Sequence, residues 1–191
     1  MGKGRLEAFS DGVIAVIITI MVLEMHAPRA PTLQALLDVG PVFGCYVLSF
    51  VYLGIYWNNH HHLLHATWHI NGGILWANLH LLFWLSLIPF VTSWMAQNQF
   101  ATVPTALYGL VLLMAAIAYW NLQRAILTLE GKDSLLARAL GNDIKGKLSP
   151  VVYLVAIASV LVSPWIAAAL YALVALVWLV PDRRIEMSIN K

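Results

Sequence analysis

Charged and polar side chains stand directly before an uninterrupted apolar stretch at the start of the chain. Arg5, Ser10 and Asp11 precede the run Val-Ile-Ala-Val-Ile-Ile-Thr-Ile-Met-Val-Leu, which ends at Leu23. A carboxylate beside an apolar helix is costly unless it is paired or hydrated, and ionisable groups in such places mark ion or proton pathways. We therefore expect the function to lie at this junction, the alternative being an anchor helix with a polar cap.

A second polar group is a histidine cluster that follows the next apolar stretch. It contains five histidines: His60, His61, His62, His65 and His69. Imidazoles are common metal ligands, and three of these would share one helical face at four-residue spacing, namely His61, His65 and His69. However, no Asp or Glu lies between Asp38 and Glu130, and Cys45 is the chain's one cysteine. We expect these histidines to form hydrogen bonds with Ser10, Asp11 or lipid phosphate. We expect no metal site and no cofactor.

The sequence lacks the patterns that enzymes of common classes require. There is no paired-carboxylate constellation, no glycine-rich phosphate loop and no Ser/His/Asp arrangement in a recognisable turn. A formal net charge of +2 gives no electrostatic footprint for nucleic acid. We therefore expect neither enzymatic activity nor a nucleic-acid partner.

Membrane helices must position these side chains. The 191 residues are 61% hydrophobic and 10% charged, with a mean hydropathy of +0.78. This composition is typical of an integral membrane protein. The apolar runs lack the alternation of β-strands, so we predict an all-α fold in the lipid bilayer.

Six apolar segments are predicted to cross the membrane within one domain, residues 1–191. Most approach the ~20 residues needed to span a bilayer, whereas the fifth would reach only ~21 Å. Ser149-Pro150 is interpreted as the start of that fifth helix, and the proline-rich stretch 28–41 as a connector. The segments are Arg5 to Met25, Val39 to Trp57, Gly72 to Met95, Val103 to Ile126, Ser149 to Val162, and Pro164 to Val180.

The distribution of positive charge predicts the orientation of these segments. Ten of the eleven Lys and Arg residues lie at or before the start of the first segment, after the last, or from the end of the fourth to the start of the fifth, and only Arg29 lies on the opposite side. The positive-inside rule then places both termini in the cytoplasm. Tryptophans such as Trp57 fit the interfacial belts of a membrane protein. Asn78 lies deep in the third segment and needs a polar partner.

The first segment resembles the signature of the transmembrane protein 175 family. The matching motif is Arg5-x-x-x-Phe9-Ser10-Asp11-x-x-x-Ala15, followed by a helix rich in Ile, Val, Thr and Leu. The similarity continues through Trp57-x-x-His60, Asn78 and Leu87-Ile-Pro89-Phe. It implies a prokaryotic, potassium-permeable channel of the bacterial inner membrane. Such a channel is a homotetramer with six helices per chain and no carbonyl filter, and the first helix lines a central pore.

The resemblance also implies roles for individual residues. Val16 would be the narrowest ring of the pore, Ile20 and Leu23 further apolar rings, and Thr19 a hydroxyl layer that contributes weak to moderate selectivity for K⁺. A polar network would hold the first helix against its neighbours through Arg5, Phe9, Ser10, Asp11, His60 and Asn78. One departure is that Ile or Leu usually occupies the constriction, so Val16 implies a wider neck.

A proton-coupled secondary transporter is the alternative. It would use Asp11 and the histidine cluster as a proton relay. Such transporters commonly break a helix near the bilayer centre. The first segment has no Pro or Gly beyond Gly12, which disfavours this alternative.

Overall fold

The computed structural model describes residues 2–131, 134 and 143–179, and all regular secondary structure in this part of the chain is α-helical. This agrees with the predicted all-α fold. The helices are α1 (Lys3–Leu23), α2 (Leu33–Asp38), α3 (Gly40–His65), α4 (Gly72–Ser86), α5 (Ile88–Gln97), α6 (Thr102–Glu130), α7 (Ile144–Ser159) and α8 (Pro164–Leu179).

Four stretches of the described chain are long and apolar enough to cross a membrane. They are α1, α3, the consecutive pair α4–α5 (Gly72–Gln97) and α6. Helices α7 and α8 have 16 residues each, about 24 Å at ~1.5 Å per residue. The six predicted segments are thus mainly helical over their described residues, with Val180 lying outside these, and four segments reach spanning length.

Two predicted helix boundaries are wrong. Helix α3 continues to His65, eight residues beyond Trp57, because the intervening sequence contains neither Gly nor Pro. Four of the five histidines of the cluster are therefore helical. Helix α7 begins at Ile144 rather than at Ser149-Pro150, since the Asp143 side chain accepts a hydrogen bond from the Gly146 amide. Pro150 lies inside that helix.

Two further features were not predicted. The proline-rich connector contains the short helix α2, whose start is capped by the Thr32 hydroxyl. The third apolar segment is interrupted at Leu87 between α4 and α5. Pro89 accounts for the interruption, because it cannot donate to the Leu85 carbonyl and its ring crowds that turn.

Helix α1 packs against α3, α4 and α5 through one face. Its buried residues follow the helical repeat: Leu6, Ser10, Ile14, Ile17 and Met21. In lipid there is little hydrophobic drive between helices, so close packing and hydrogen bonds determine where α1 sits. The helix ends at Leu23, shortly before Pro28, which disfavours helical geometry in the residue that precedes it.

Tyrosines join the second half of the bundle to α3. The Tyr52 hydroxyl donates to the Tyr171 carbonyl at 2.6 Å, and the Tyr171 hydroxyl donates to the Thr105 carbonyl at 3.2 Å. A Cβ atom at Gly109 would collide with the Tyr171 hydroxyl, so the close approach of α8 to α6 requires glycine there. Helices α6 to α8 thus form a scaffold beside α3, α4 and α5.

Candidate functional site

Helix α1 presents a second, exposed face opposite its buried one. The exposed fraction is 48% for Phe9, 55% for Val16, 41% for Ile20 and 76% for Leu23. We call this set, together with Thr19, the exposed stripe of α1. Its members recur at helical spacing and none carries a charge. The residues predicted to line a pore therefore share one face that the single chain leaves uncovered.

A groove of about 930 Å³ runs along this face, between α1 and α5. From α1 it is lined by Phe9, Val16, Ile20 and Glu24, among others, and from α5 by Phe90 and Trp94. The groove walls are thus mostly apolar, with polar groups near one end. An open apolar groove of this size marks a contact surface or a ligand path.

The Thr19 hydroxyl is the polar group of the exposed stripe. It donates within α1, with the Val16 carbonyl oxygen at 2.9 Å and the Ala15 carbonyl oxygen at 3.1 Å. A hydroxyl has one donor and two acceptor lone pairs, so the proton is used inside the helix. The oxygen of the exposed side chain therefore remains an acceptor toward the outside, suited to a cation or a water molecule.

On the opposite face, three of the predicted network residues form one buried chain of hydrogen bonds. Asn78 Nδ2 donates to Ser10 Oγ at 2.9 Å, and Ser10 Oγ donates to the Leu6 carbonyl at 2.9 Å. Asn78 Oδ1 lies 2.6 Å from His60 Nε2, so Nε2 carries the proton and donates. This chain connects α1, α4 and α3, with all three side chains at most 1% exposed.

Asp11 and Arg5 do not join that chain. Asp11 Oδ1 accepts a hydrogen bond from Trp57 Nε1 at 2.9 Å, so its partner lies outside the network that the resemblance implied. One residue step rotates Asp11 by about 100° from Ser10, toward the edge of α1, where it meets Trp57. Arg5 is exposed and forms no ion pair with Asp11 in the described part of the chain.

Phe9 also lies outside the buried network. Its side chain lines the groove, while the adjacent Ser10 faces the interior. The structure therefore brings together Ser10, His60 and Asn78, places Asp11 at the boundary between the faces, and leaves Arg5 and Phe9 on the exposed side.

Lys3 makes a contact that the sequence did not suggest. Its Nζ donates to the His65 carbonyl at 2.8 Å and lies 3.9 Å from Glu7 Oε1. The last carbonyls of a helix attract cations. The start of α1 thus lies beside the last turn of α3, beyond the end predicted for that helix at Trp57.

The histidine cluster divides into separate environments. His60 is buried, whereas the exposed His61 and His65 stack with ring centroids 6.0 Å apart. His69 lies beyond the end of α3, so the expected shared face with His61 and His65 is wrong. Within residues 2–131, 134 and 143–179, no group of three His, Cys, Asp or Glu side chains is placed to hold a metal ion.

Glu130 fixes the connection between α3 and α4, which was also not predicted. Its Oε1 accepts hydrogen bonds from the backbone amides of Trp68 at 2.8 Å and His69 at 3.0 Å. The carboxylate at the end of α6 thus orients the chain that leaves the α3 histidines and leads into α4.

Comparison with known proteins identifies the family. The sequence profile described as endosomal/lysosomal potassium channel TMEM175 matches residues 5–89. A protein named potassium channel from a Chryseobacterium species is 51% identical over 191 residues, which is all of both chains. The chain belongs to the TMEM175 family. The matched residues contain α3, α4 and all of α1 except its first two residues, and hence the Ser10–Asn78–His60 chain.

Other members agree with this assignment over most of their length. A protein named potassium channel from Streptomyces collinus is 30% identical over 187 residues, 91% of this chain and 90% of that protein. The crystal structure of a lysosomal potassium-selective channel TMEM175 homologue from Chamaesiphon minutus matches with a TM-score of 0.82 at 26% identity, over 94% of this chain and 97% of that one.

The TMEM175 family consists of ion channels rather than enzymes, consistent with the expectation from the sequence. Together with the four apolar helices of spanning length, the family assignment makes this chain a multi-pass membrane protein.

Proposed function

We propose that this chain is a weakly to moderately K⁺-selective cation channel. The observation that carries the proposal is the exposed stripe of α1, which combines charge-free apolar side chains with the Thr19 hydroxyl on one uncovered face. The names of the matched relatives support the choice of K⁺ as the permeant ion. The domain would be the whole chain, 1–191, as one six-helix transmembrane unit.

One stripe cannot enclose a path, so the pore requires several copies of the chain. We propose a homotetramer in which four α1 helices surround the axis, since closed rotational symmetry places identical side chains in rings. Each α1–α5 groove would then be bordered by a neighbouring copy, with its α1 wall facing the axis. The channel would lie in the bacterial inner membrane with both termini in the cytoplasm, as the distribution of Lys and Arg indicates.

Conduction would be controlled by dewetting at a ring of Val16 side chains. A narrow apolar ring expels water and blocks ions, and a small widening of the ring allows water and ions to enter. Four Thr19 oxygens one turn away would replace part of the hydration shell of K⁺. Ile20 and Leu23 would form further rings. Because Val is smaller than Ile or Leu, the neck of this chain would be less tightly closed.

The polar residues outside the stripe would hold α1 in place. Arg5, Phe9, Ser10, Asp11, His60 and Asn78 are proposed as this structural set. The hydrogen bonds of Ser10, His60 and Asn78, and the bond from Trp57 to Asp11, support the role for four of them. Asp11 and His60 are engaged in these bonds and α1 is unbroken, so the structure offers no observation that favours a proton-coupled transporter.

The test is the Val16→Asn variant in proteoliposomes. A polar amide hydrates the constriction, so we expect K⁺ flux to rise several-fold and discrimination against Na⁺ to fall. The matched control is Val22→Asn, because Val22 is also exposed on α1 but lies off the stripe, and its flux should stay at the wild-type value. Native mass measurement should give four copies of the 21.2 kDa chain for all three proteins. Unchanged flux in Val16→Asn would overturn the constriction, and a monomer would overturn the pore.

A further inference from the structure

Glu24 stands at the end of the exposed stripe. It is the C-cap residue of α1, and its amide donates to the Ile20 carbonyl at 3.2 Å. Its exposed side chain lines the same groove as Val16 and Ile20, one helical turn beyond Ile20. The carboxylate therefore belongs to the same surface as the proposed ion path.

The Glu24 carboxylate is not neutralised by a neighbour. The ion pairs within the described ranges are Lys3 with Glu7 and His69 with Glu130, so Glu24 has no such partner there. His26 contacts the Glu24 backbone carbonyl through Nδ1 at 3.1 Å, rather than the carboxylate. The other charged groups at this end are Arg29, which is exposed, and Asp38, which accepts a hydrogen bond from Gln34.

The helix itself adds to the negative potential. The carboxyl end of an α-helix carries about half a negative charge through its unpaired carbonyls. Glu24 lies at this end of α1, whereas Lys3 and Arg5 lie at the positive amino end. The Glu24 end of the exposed stripe is therefore electrostatically negative, whereas at the amino end Lys3 and Arg5 are accompanied by Glu7 and Asp11.

We propose that Glu24 sets the conductance for ions that enter from the outer side. Four carboxylates around the outer mouth would raise the local K⁺ concentration through their field, without forming a dedicated binding site. This inference rests on the proposed pore formed by α1 of four copies. In this proposal, Glu24 determines the rate at which ions enter, and the exposed stripe determines selectivity.

The test is Glu24→Gln in single-channel recordings at two salt concentrations. In about 0.01 M K⁺ the Debye length is ~30 Å, and in about 1 M it is ~3 Å. We expect inward conductance to fall about two- to five-fold at low salt and to match the wild type at high salt, with an unchanged K⁺/Na⁺ ratio. Glu24→Asp should retain the wild-type value.

The matched control is Asp38→Asn, which removes a carboxylate of α2 that does not line the groove. Its conductance should equal that of the wild type at both salt concentrations. Wild-type conductance of Glu24→Gln at low salt would overturn the inference, as would an equal loss at both concentrations, which indicates structural damage. If Val16→Asn changes conduction and Glu24→Gln does not, only the role of Glu24 fails. If neither variant changes conduction, the proposed pore formed by α1 is wrong.

Discussion

The two faces of α1 use polar groups in opposite ways. On the buried face, Ser10 is bonded to Asn78 and through it to His60, with each polar atom committed to a protein partner. On the exposed face, the Thr19 oxygen keeps acceptor capacity that no other helix uses within the described ranges. A rotation of about 100° per residue separates the two environments on one helix. Substitutions on the buried face should therefore change stability, and those on the exposed face should change ion permeation.

Asn78→Leu should have the largest effect on stability. It removes the acceptor of the buried His60 Nε2 proton and the donor to Ser10, so we expect the free energy of unfolding in detergent to fall by about 2 kcal/mol. The measurement is chemical or thermal unfolding followed by tryptophan fluorescence.

The double variant His60→Leu/Asn78→Leu is the control for this interpretation. Replacing both partners by apolar groups leaves no buried donor unsatisfied, so much of the lost stability should return. If the two substitutions simply add, the Asn78–His60 hydrogen bond does not stabilise the bundle.

Trp57→Phe should have an intermediate effect, at the boundary between the two faces. It removes the donor to Asp11, whose side chain is only half-buried and can be hydrated instead, so we expect a loss of about 1 kcal/mol. The exposed Trp76 provides a matched control, Trp76→Phe, which should unfold as the wild type does.

Conduction measurements distinguish a structural role of Asp11 from a role in gating. With Trp57→Phe, single-channel conductance and the K⁺/Na⁺ ratio should remain at wild-type values. A rise in flux comparable to that of Val16→Asn would show that the Asp11–Trp57 bond holds the pore closed. It would contradict the assignment of stability to one face of α1 and permeation to the other.

The sequence predicted which residues needed partners better than it predicted the partners. Asn78 was expected to bond to the polar start of α1, because an amide deep in lipid must be satisfied, and it does bond to Ser10. The family resemblance placed Asp11 in a network with His60 and Arg5, whereas the rotation of α1 directs it to Trp57, a residue interpreted as an interfacial anchor. Pairing depends on helix rotation and neighbour order, which periodicity within one helix does not specify.

Helix ends limited the prediction in the same way. Apolarity marks where a helix enters the membrane, but α3 continues through polar residues to His65, whose carbonyl accepts a hydrogen bond from Lys3. Pro150 was interpreted as a helix start, although Asp143 caps α7 seven residues earlier. The shared face of Val16, Ile20 and Leu23, in contrast, follows from their spacing of four and three residues, but its exposure is a finding of the structure.

Thr19→Val should have the smallest effect on stability and a specific effect on permeation. The exposed hydroxyl bonds to carbonyls of its own helix, so the free energy of unfolding should change by less than about 0.5 kcal/mol. We expect the K⁺/Na⁺ permeability ratio, measured from reversal potentials, to fall about three-fold, which corresponds to ~0.7 kcal/mol. Thr128→Val is the matched control, since the Thr128 hydroxyl makes the same bond to the carbonyl four residues earlier, but on α6. If the K⁺/Na⁺ permeability ratio falls equally in both variants, or in neither, the Thr19 oxygen does not determine selectivity. The exposed stripe would then act only as an apolar gate.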